Sequence, residues 1–451
     1  MKFRLAILYL LQFAIWGSYL TSLGQFLGSA GLGADISWFY AAVGLVSLVM
    51  PALAGYFSDR YVSPHALLSF CHCSAAVLIG DLWGYAQTVT HLTFWPVFIR
   101  YVAFLSFYLP TIALANTTSF RLLSQRGEDT LRSFPRVRIW GTVGFVLAMW
   151  FVNSFYYHDG SWGFTLTDDN IMSRYRLQYN SGQLLVASIL GFITAGYSLS
   201  LRIRQTPVRS ADDSRKGLMD ILGWSRFNLF RNPELRSFLI FAILAGVCLQ
   251  ISNAYVTPYI THFAGLSQYA GNDVASNATM LFSISQISEA LCILGVGIAL
   301  RKRGIKSVLV MAMVAWGLRY ASLALGNPGS GLWLLIISMI AYGVAFNYFN
   351  IAGAMYVDRM TESTNKGFGQ GVLMLMSNGV GATLGMFGAG AVVNYFCHWQ
   401  QVEVHDAPTR YFMGDWTSVW WIFAVYSLIV ALLIFLILPG VGKKRDVHPQ
   451  D

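Results

Sequence analysis

Twelve times between residues 4 and 438 the chain runs apolar for a length that would cross a bilayer: roughly 4–27, 38–57, 65–87, 93–121, 136–156, 182–201, 236–264, 278–300, 305–325, 332–357, 368–396 and 417–438. A helix needs about 20 such residues to cross the hydrocarbon core. Lipid offers an open backbone amide no partner, so these runs are expected to be helical. Only 11% of residues are charged, where soluble domains carry about 25%. The expectation is an all-α, multi-pass membrane protein with 12 transmembrane helices. The start, Met1-Lys-Phe-Arg, imitates a secretory signal. However, the apolar run to about Leu27 outlasts a signal's apolar region and lacks a clear A-x-A site, so it is expected to remain as the first span.

Lys and Arg set the orientation. With both termini in the cytoplasm, inner tails and loops hold 24 of the 30: Lys2, Arg4, Arg60, the clusters Arg121–Arg136 and Arg202–Arg236, Arg301–Lys306, Arg359, Lys366 and Lys443–Arg445. Outer loops hold only Arg174, Arg176 and Arg410, while Arg100, Arg138 and Arg319 fall within or at the edges of spans. A net charge of +9 would suggest nucleic acid in a soluble protein, but here it is a topology signal and no nucleic acid is expected. The longest polar connection contains Leu218–Arg231, an amphipathic stretch expected to lie on the membrane surface. It divides the chain into a six-helix bundle (1–201), a cytoplasmic linker (202–235) and a second six-helix bundle with a short basic tail (236–451).

The interior polar residues carry the functional signal. In Ser283–Leu294, Gln286 and Glu289 lie one helical turn apart inside the apolar run from Thr279 to Leu300. A carboxylate at bilayer depth costs about 2.5–3.5 kcal/mol and usually faces a polar cavity or a charge partner. A structural carboxylate held by hydroxyls of a neighbouring helix is the plain alternative. Other polar residues repeat at helical spacing. They are Arg138, Thr142 and Phe145; Gln250, Asn253 and Thr257; Tyr342, Phe346 and Asn350 with Asn347 beside them; and Gln12, Trp16 and Tyr19. Carboxamides both donate and accept, which suits a ligand with hydroxyls and amide-like edges. Phe145, Tyr342 and Phe346 would supply flat walls for a ring. A sugar would use the first set and a nucleoside both. Against this, membrane amides also join helices, and each aromatic taken alone reads as packing. Arg138 reaches inward only if its helix begins before Pro135.

Other features read as structural. Gly379, Gly381, Gly385, Gly388 and Gly390 suit close helix packing. Asp81 is a minor candidate for a proton path, and Asp358 and Arg359 are expected at a cytoplasmic edge. The five cysteines show neither metal nor disulfide spacing, and four fall inside expected spans. The eight histidines show no metal spacing either, and no P-loop points to ATP drive. No cofactor, metal or enzymatic nucleophile–base set is expected.

Gly55-Tyr-Phe-Ser-Asp59-Arg60, after the second span, is similar to the G-x-x-x-D-R signature of the major facilitator superfamily, with the usual basic tail reduced to Y-V-S-P-H. Longer stretches resemble one of its families, the bacterial nucleoside–proton symporters. They are Leu11–Gly24, Phe134–Trp150, Leu249–Asn253, Ser283–Leu294, Val314–Arg319 (V-A-W-G-L-R) and Tyr342–Gly353. The resemblance implies a secondary transporter of the bacterial inner membrane that imports nucleosides such as uridine with a proton. Its substrate-binding groups would fall on Arg138, Thr142, Phe145, Gln250, Asn253, Gln286, Glu289, Tyr342 and Phe346. Nucleoside, protons and bilayer are then the partners of a monomer. Nucleoside-transporting members similar to this chain carry an aspartate where Asn347 stands. Either Glu289 handles the proton alone, or the protein is weakly coupled or a facilitator. The rival expectations are a carrier of another polar solute, such as a sugar, and a nucleoside receptor that does not transport.

Overall fold

The computed structural model describes all residues except 129, 168–170, 202–231, 362–365, 405–406 and 440–451. The expected surface stretch Leu218–Arg231 and the basic tail Lys443–Arg445 therefore lie outside the described residues. The helices are α1 (Lys2–Tyr19), α2 (Leu23–Ser29), α3 (Ile36–Arg60), α4 (Pro64–Thr88), α5 (Phe94–Gln125), α6 (Thr130–Ser154), α7 (Gly182–Ser200), α8 (Pro233–His262), α9 (Ala278–Leu325), α10 (Leu332–Met360), α11 (Lys366–Met374), α12 (Ala382–Phe396) and α13 (Trp416–Ile437). Starts are marked by familiar chemistry. Asn232 Oδ1 accepts from the amides of Glu234 and Leu235 at 3.0 and 3.3 Å ahead of Pro233, and Asp415 Oδ1 accepts from Ser418 N at 3.0 Å.

Four expected spans depart from simple helices. The first is interrupted after Tyr19 and resumes as α2. The eighth and ninth are both contained in α9, 48 residues long, which bends at Gly304 (φ 75°, ψ 171°) rather than through a loop. That φ is open to glycine at little cost, and the expected basic connection Arg301–Lys306 is a helical corner. Eleven apolar stretches among the described residues are therefore long enough to cross a membrane, one of them twice. The eleventh span runs α11, a π-helical segment at Leu375–Gly381, and α12. Such π segments are uncommon and often sit at functional sites.

Two hairpins were not expected. β1 (Phe155–His158) pairs antiparallel with β2 (Ser161–Phe164), with Asp159 and Gly160 both at positive φ in the turn. β3 (Cys397–Val404) pairs antiparallel with β4 (Ala407–Gly414), so Cys397 sits in a strand outside any span. The hairpins follow the fifth and eleventh crossings and therefore share one face, called here the hairpin end.

Small residues bring backbones together. A Cβ on Gly17 would lie 2.2 Å from Phe145 O, and one on Gly144 2.0 Å from Leu10 O, so α1 and α6 touch main chain to main chain. Likewise Gly246 meets Ser377 O, Gly381 meets Ile243 O and Gly385 meets Val247, which seats α8 against the π segment and α12. The glycine stripe is thus a packing stripe, except at Gly388, where there is open space. Gln12 and Tyr19 correct the expectation of a cavity stripe on the first span. Gln12 donates to Thr111 Oγ1 at 2.7 Å and its Oε1 lies 2.6 Å from His72 Nε2, while the Tyr19 ring packs on Tyr101, Phe104 and Tyr108.

Candidate functional site

The site residues converge from α6, α8, α9 and α10. Helix α6 begins at Thr130, before Pro135, so Arg138 is carried inward. Its guanidinium stands 4.3 Å from the Phe13 ring centre and 5.6 Å from that of Tyr9. It also has a Coulombic interaction with Glu289 on α9. This satisfies the condition set by the proline. Thr142 follows one turn on, half-buried, and Phe145 is buried beside α1.

On α8, Asn253 Nδ2 donates to Gln250 Oε1 at 3.2 Å, and both side chains are buried. On α9, Gln286 is buried and Glu289 is partly buried. The Tyr342 hydroxyl on α10 and the Gln286 carboxamide are electrostatic neighbours. Tyr342 and Phe346 lie almost parallel, with centroids 5.8 Å apart and planes at 4°. Asn347 Nδ2 donates to the main-chain oxygen of Glu289 at 2.5 Å, tying α10 to the acid-bearing turn. Thus Arg138, Glu289, Gln286, Tyr342, Phe346 and Asn347 form a connected set. Gln250 and Asn253 form a separate bonded pair.

A cavity of about 20 Å³ beside Phe346, bounded by Leu249, Trp316 and Asn350, has room for a water but not for a ring. The larger cleft, about 540 Å³, opens at the hairpin end between Asn394, His398, Trp399 and Arg410, and contains none of the expected site residues.

Polar bonds fasten that end. Arg176, fully buried, donates to Ser276 O at 3.0 Å, Asn277 Oδ1 at 3.2 Å and Thr167 O at 2.8 Å. Gln178 Nε2 and the Tyr179 hydroxyl also donate to Ser276 O, at 3.0 and 2.7 Å. Asn153 Nδ2 donates to Asn277 Oδ1 at 2.6 Å, and Asn277 Nδ2 to Leu166 O at 2.6 Å. One turn deeper, Trp150 Nε1 donates to Ser283 Oγ at 2.8 Å. Residues before 202 are therefore joined to residues after 231 around the start of α9. Sequence reasoning counted Arg176 only as an outer-loop charge. Asp81, the minor proton candidate, instead pairs with Arg100 at 2.8 Å, both side chains partly exposed.

Helices long enough to cross a membrane that bring an acid and amides together in their interior fit a secondary transporter. A family described as nucleoside H+ symporter matches residues 1–440. The chain belongs to that family, and so is a multi-pass transporter of the bacterial inner membrane and not an enzyme. Xanthosine permease of Escherichia coli K12 is 34% identical over 99% of this chain and 97% of its own. Nucleoside permease NupG of the same strain is 34% identical over 96% and 94%. The crystal structure of NupG superposes with a TM-score of 0.79 at 33% identity, covering 96% of this chain and 98% of that one. A D-xylose-proton symporter, at 12% identity and a TM-score of 0.64 over 97% and 98%, shares the fold alone.

Proposed function

We propose that the protein imports nucleosides together with protons by alternating access, and that Glu289 is the proton-carrying group. The reading divides the chain into bundles 1–201 and 236–451 joined by a cytoplasmic linker, 202–235, with both termini in the cytoplasm. The hairpin end then faces the periplasm, and its polar fastening corresponds to a state closed on that side. The observation that carries the proposal is the acid itself. Glu289 lies midway along the first arm of α9, partly buried and electrostatically linked to Arg138 of the other bundle.

In this reading the base packs against Phe145, Tyr342 or Phe346, while Gln250, Asn253, Gln286 and Thr142 serve the ribose and base edges. Glu289 alternates between a protonated form and one paired with ligand or Arg138 as the bundles rock. One proton moving down about 100 mV supplies roughly 2.3 kcal/mol. At about 1.4 kcal/mol per decade, that sustains roughly 50-fold accumulation. Asn347 cannot titrate, so Glu289 carries the coupling alone. The protein works as a monomer in the bilayer.

Labelled-uridine uptake into proteoliposomes with an imposed pH gradient tests this. Accumulation that collapses with a protonophore, competed by nucleosides and not by sugars, is the expected result. Competition by sugars alone would favour the rival solute, and failure of internal and external uridine to exchange would leave a receptor.

A further inference from the structure

Arg319 is fully buried on the second arm of α9. A guanidinium in such a place would ordinarily be paired with a carboxylate. Instead, its Nε donates to Ser252 Oγ at 3.1 Å, and its Nη1 donates to Ser285 Oγ at 3.2 Å and Ser338 O at 2.8 Å. The charge stands 4.9 Å from the Tyr342 ring centre and 5.7 Å from that of Phe282. Nη2 is buried without a hydrogen-bond partner. Neutral acceptors and ring faces therefore balance this cation.

The partners have a shared location. Ser252 immediately precedes Asn253 on α8, Ser285 immediately precedes Gln286 on α9, and Ser338 lies one turn before Tyr342 on α10. One planar group thus fixes, from behind, the three helices whose next residues form the proposed ligand wall. It also braces the Tyr342 ring directly. The Trp316 ring also stands edge-on to Tyr342, at 5.7 Å. We propose that Arg319 is a positioning residue of the nucleoside site: it sets the orientation of the Tyr342 ring and the register of Asn253 and Gln286, and so determines affinity without touching the substrate. This rests on the reading of those residues as ligand contacts. Lysine would not replace it, because an ammonium lacks the planar fork that reaches three acceptors while stacking on a ring.

The test is uridine binding by isothermal titration on protein in nanodiscs, with counterflow alongside, for wild type, R319K, Y342L and R319K/Y342L. R319K is expected to weaken uridine binding about 10- to 50-fold, as loss of a desolvated cation–π contact and a charge-assisted bond implies. Maximal exchange at saturating uridine should stay within about threefold, since the substrate's own contacts remain available. Because Arg319 acts in part through the ring, R319K should cost clearly less affinity in the Y342L background than in wild type. A purely structural role would make the two losses multiply, and that result overturns the proposal, as does wild-type affinity in R319K. If R319K does not fold, S252A/S285A decides, since it keeps the arginine and removes two acceptors. An affinity loss of about fivefold or more there supports the proposal, and none overturns it. Wild-type protein that binds no uridine would instead overturn the parent reading, and this inference with it.

Discussion

Replacing Asn277 with alanine tests whether the hairpin end is a gate. The Asn277 carboxamide accepts from Asn153 and Arg176 and donates to Leu166 O, making three bonds between the proposed bundles. Its other bonds, to Asp273 O at 2.7 Å and Ser276 Oγ at 3.4 Å, stay within its own segment and do not oppose opening. A neutral bond contributes about 1 kcal/mol net and one from a charged donor about 1.5–3. Arg176 keeps Ser276 O and Thr167 O, and water replaces part of what is lost, so the closed state should lose about 2–3 kcal/mol. That is roughly a 30- to 150-fold shift toward opening at the hairpin end. Ser283 reports it directly, being 1% exposed and facing Trp150 across the seam. With the native cysteines replaced, S283C should react with a membrane-impermeant maleimide, added from the hairpin side, at least about tenfold faster in N277A than in its parent. Equal labelling rates, at equal melting temperature, would refute the idea that these bonds hold the gate.

E289Q should abolish uridine accumulation driven by a pH gradient while some exchange persists; undiminished accumulation would move the proton elsewhere. N347D should make transport more steeply acid-dependent than wild type. An ionised carboxylate would repel the Glu289 carbonyl that Asn347 now reaches at 2.5 Å, and protonation at low pH restores a donor, so uptake should rise as pH falls and its pH profile should shift measurably against wild type. G144A places a methyl 2.0 Å from Leu10 O and must force α1 from α6, so a stability loss of about 1–3 kcal/mol is expected as a lower melting temperature. D81N should change stability by less than about 1 kcal/mol and leave transport intact, because the Asp81–Arg100 pair is partly exposed.

Hydropathy made the crossings legible because lipid imposes a length and leaves no choice of backbone. It could not see the bend at Gly304, since a corner of helix and a short loop have the same composition. The first hairpin did carry a signal, Asp159-Gly160 between aromatic runs, the turn type that favours two left-handed residues. Helical spacing put Arg138, Thr142 and Phe145 on one face, and α6 is helical through all three. It failed for Gln12 because periodicity identifies a shared face but not its neighbour, here His72 and Thr111 rather than a cavity. Arg176 and Arg319 were missed for a related reason. Counting basic residues by side treats each as a solvated charge, whereas these two are consumed by backbone carbonyls and hydroxyls brought from distant parts of the chain.

The corner at Gly304 also limits how the protein can be edited. Glu289 and Arg319 each stand 15 residues from it, on opposite arms of α9. At about 1.5 Å per residue, both sit roughly 22 Å from the corner and so at matching depth. With no slack between the arms, one residue inserted after Gly304 would turn the second arm by about 100° and swing Arg319 away from Ser252, Ser285 and Ser338 together. A tag or reporter placed at that corner would thus disable a region more than 20 Å away, although the corner itself has open space around its glycine.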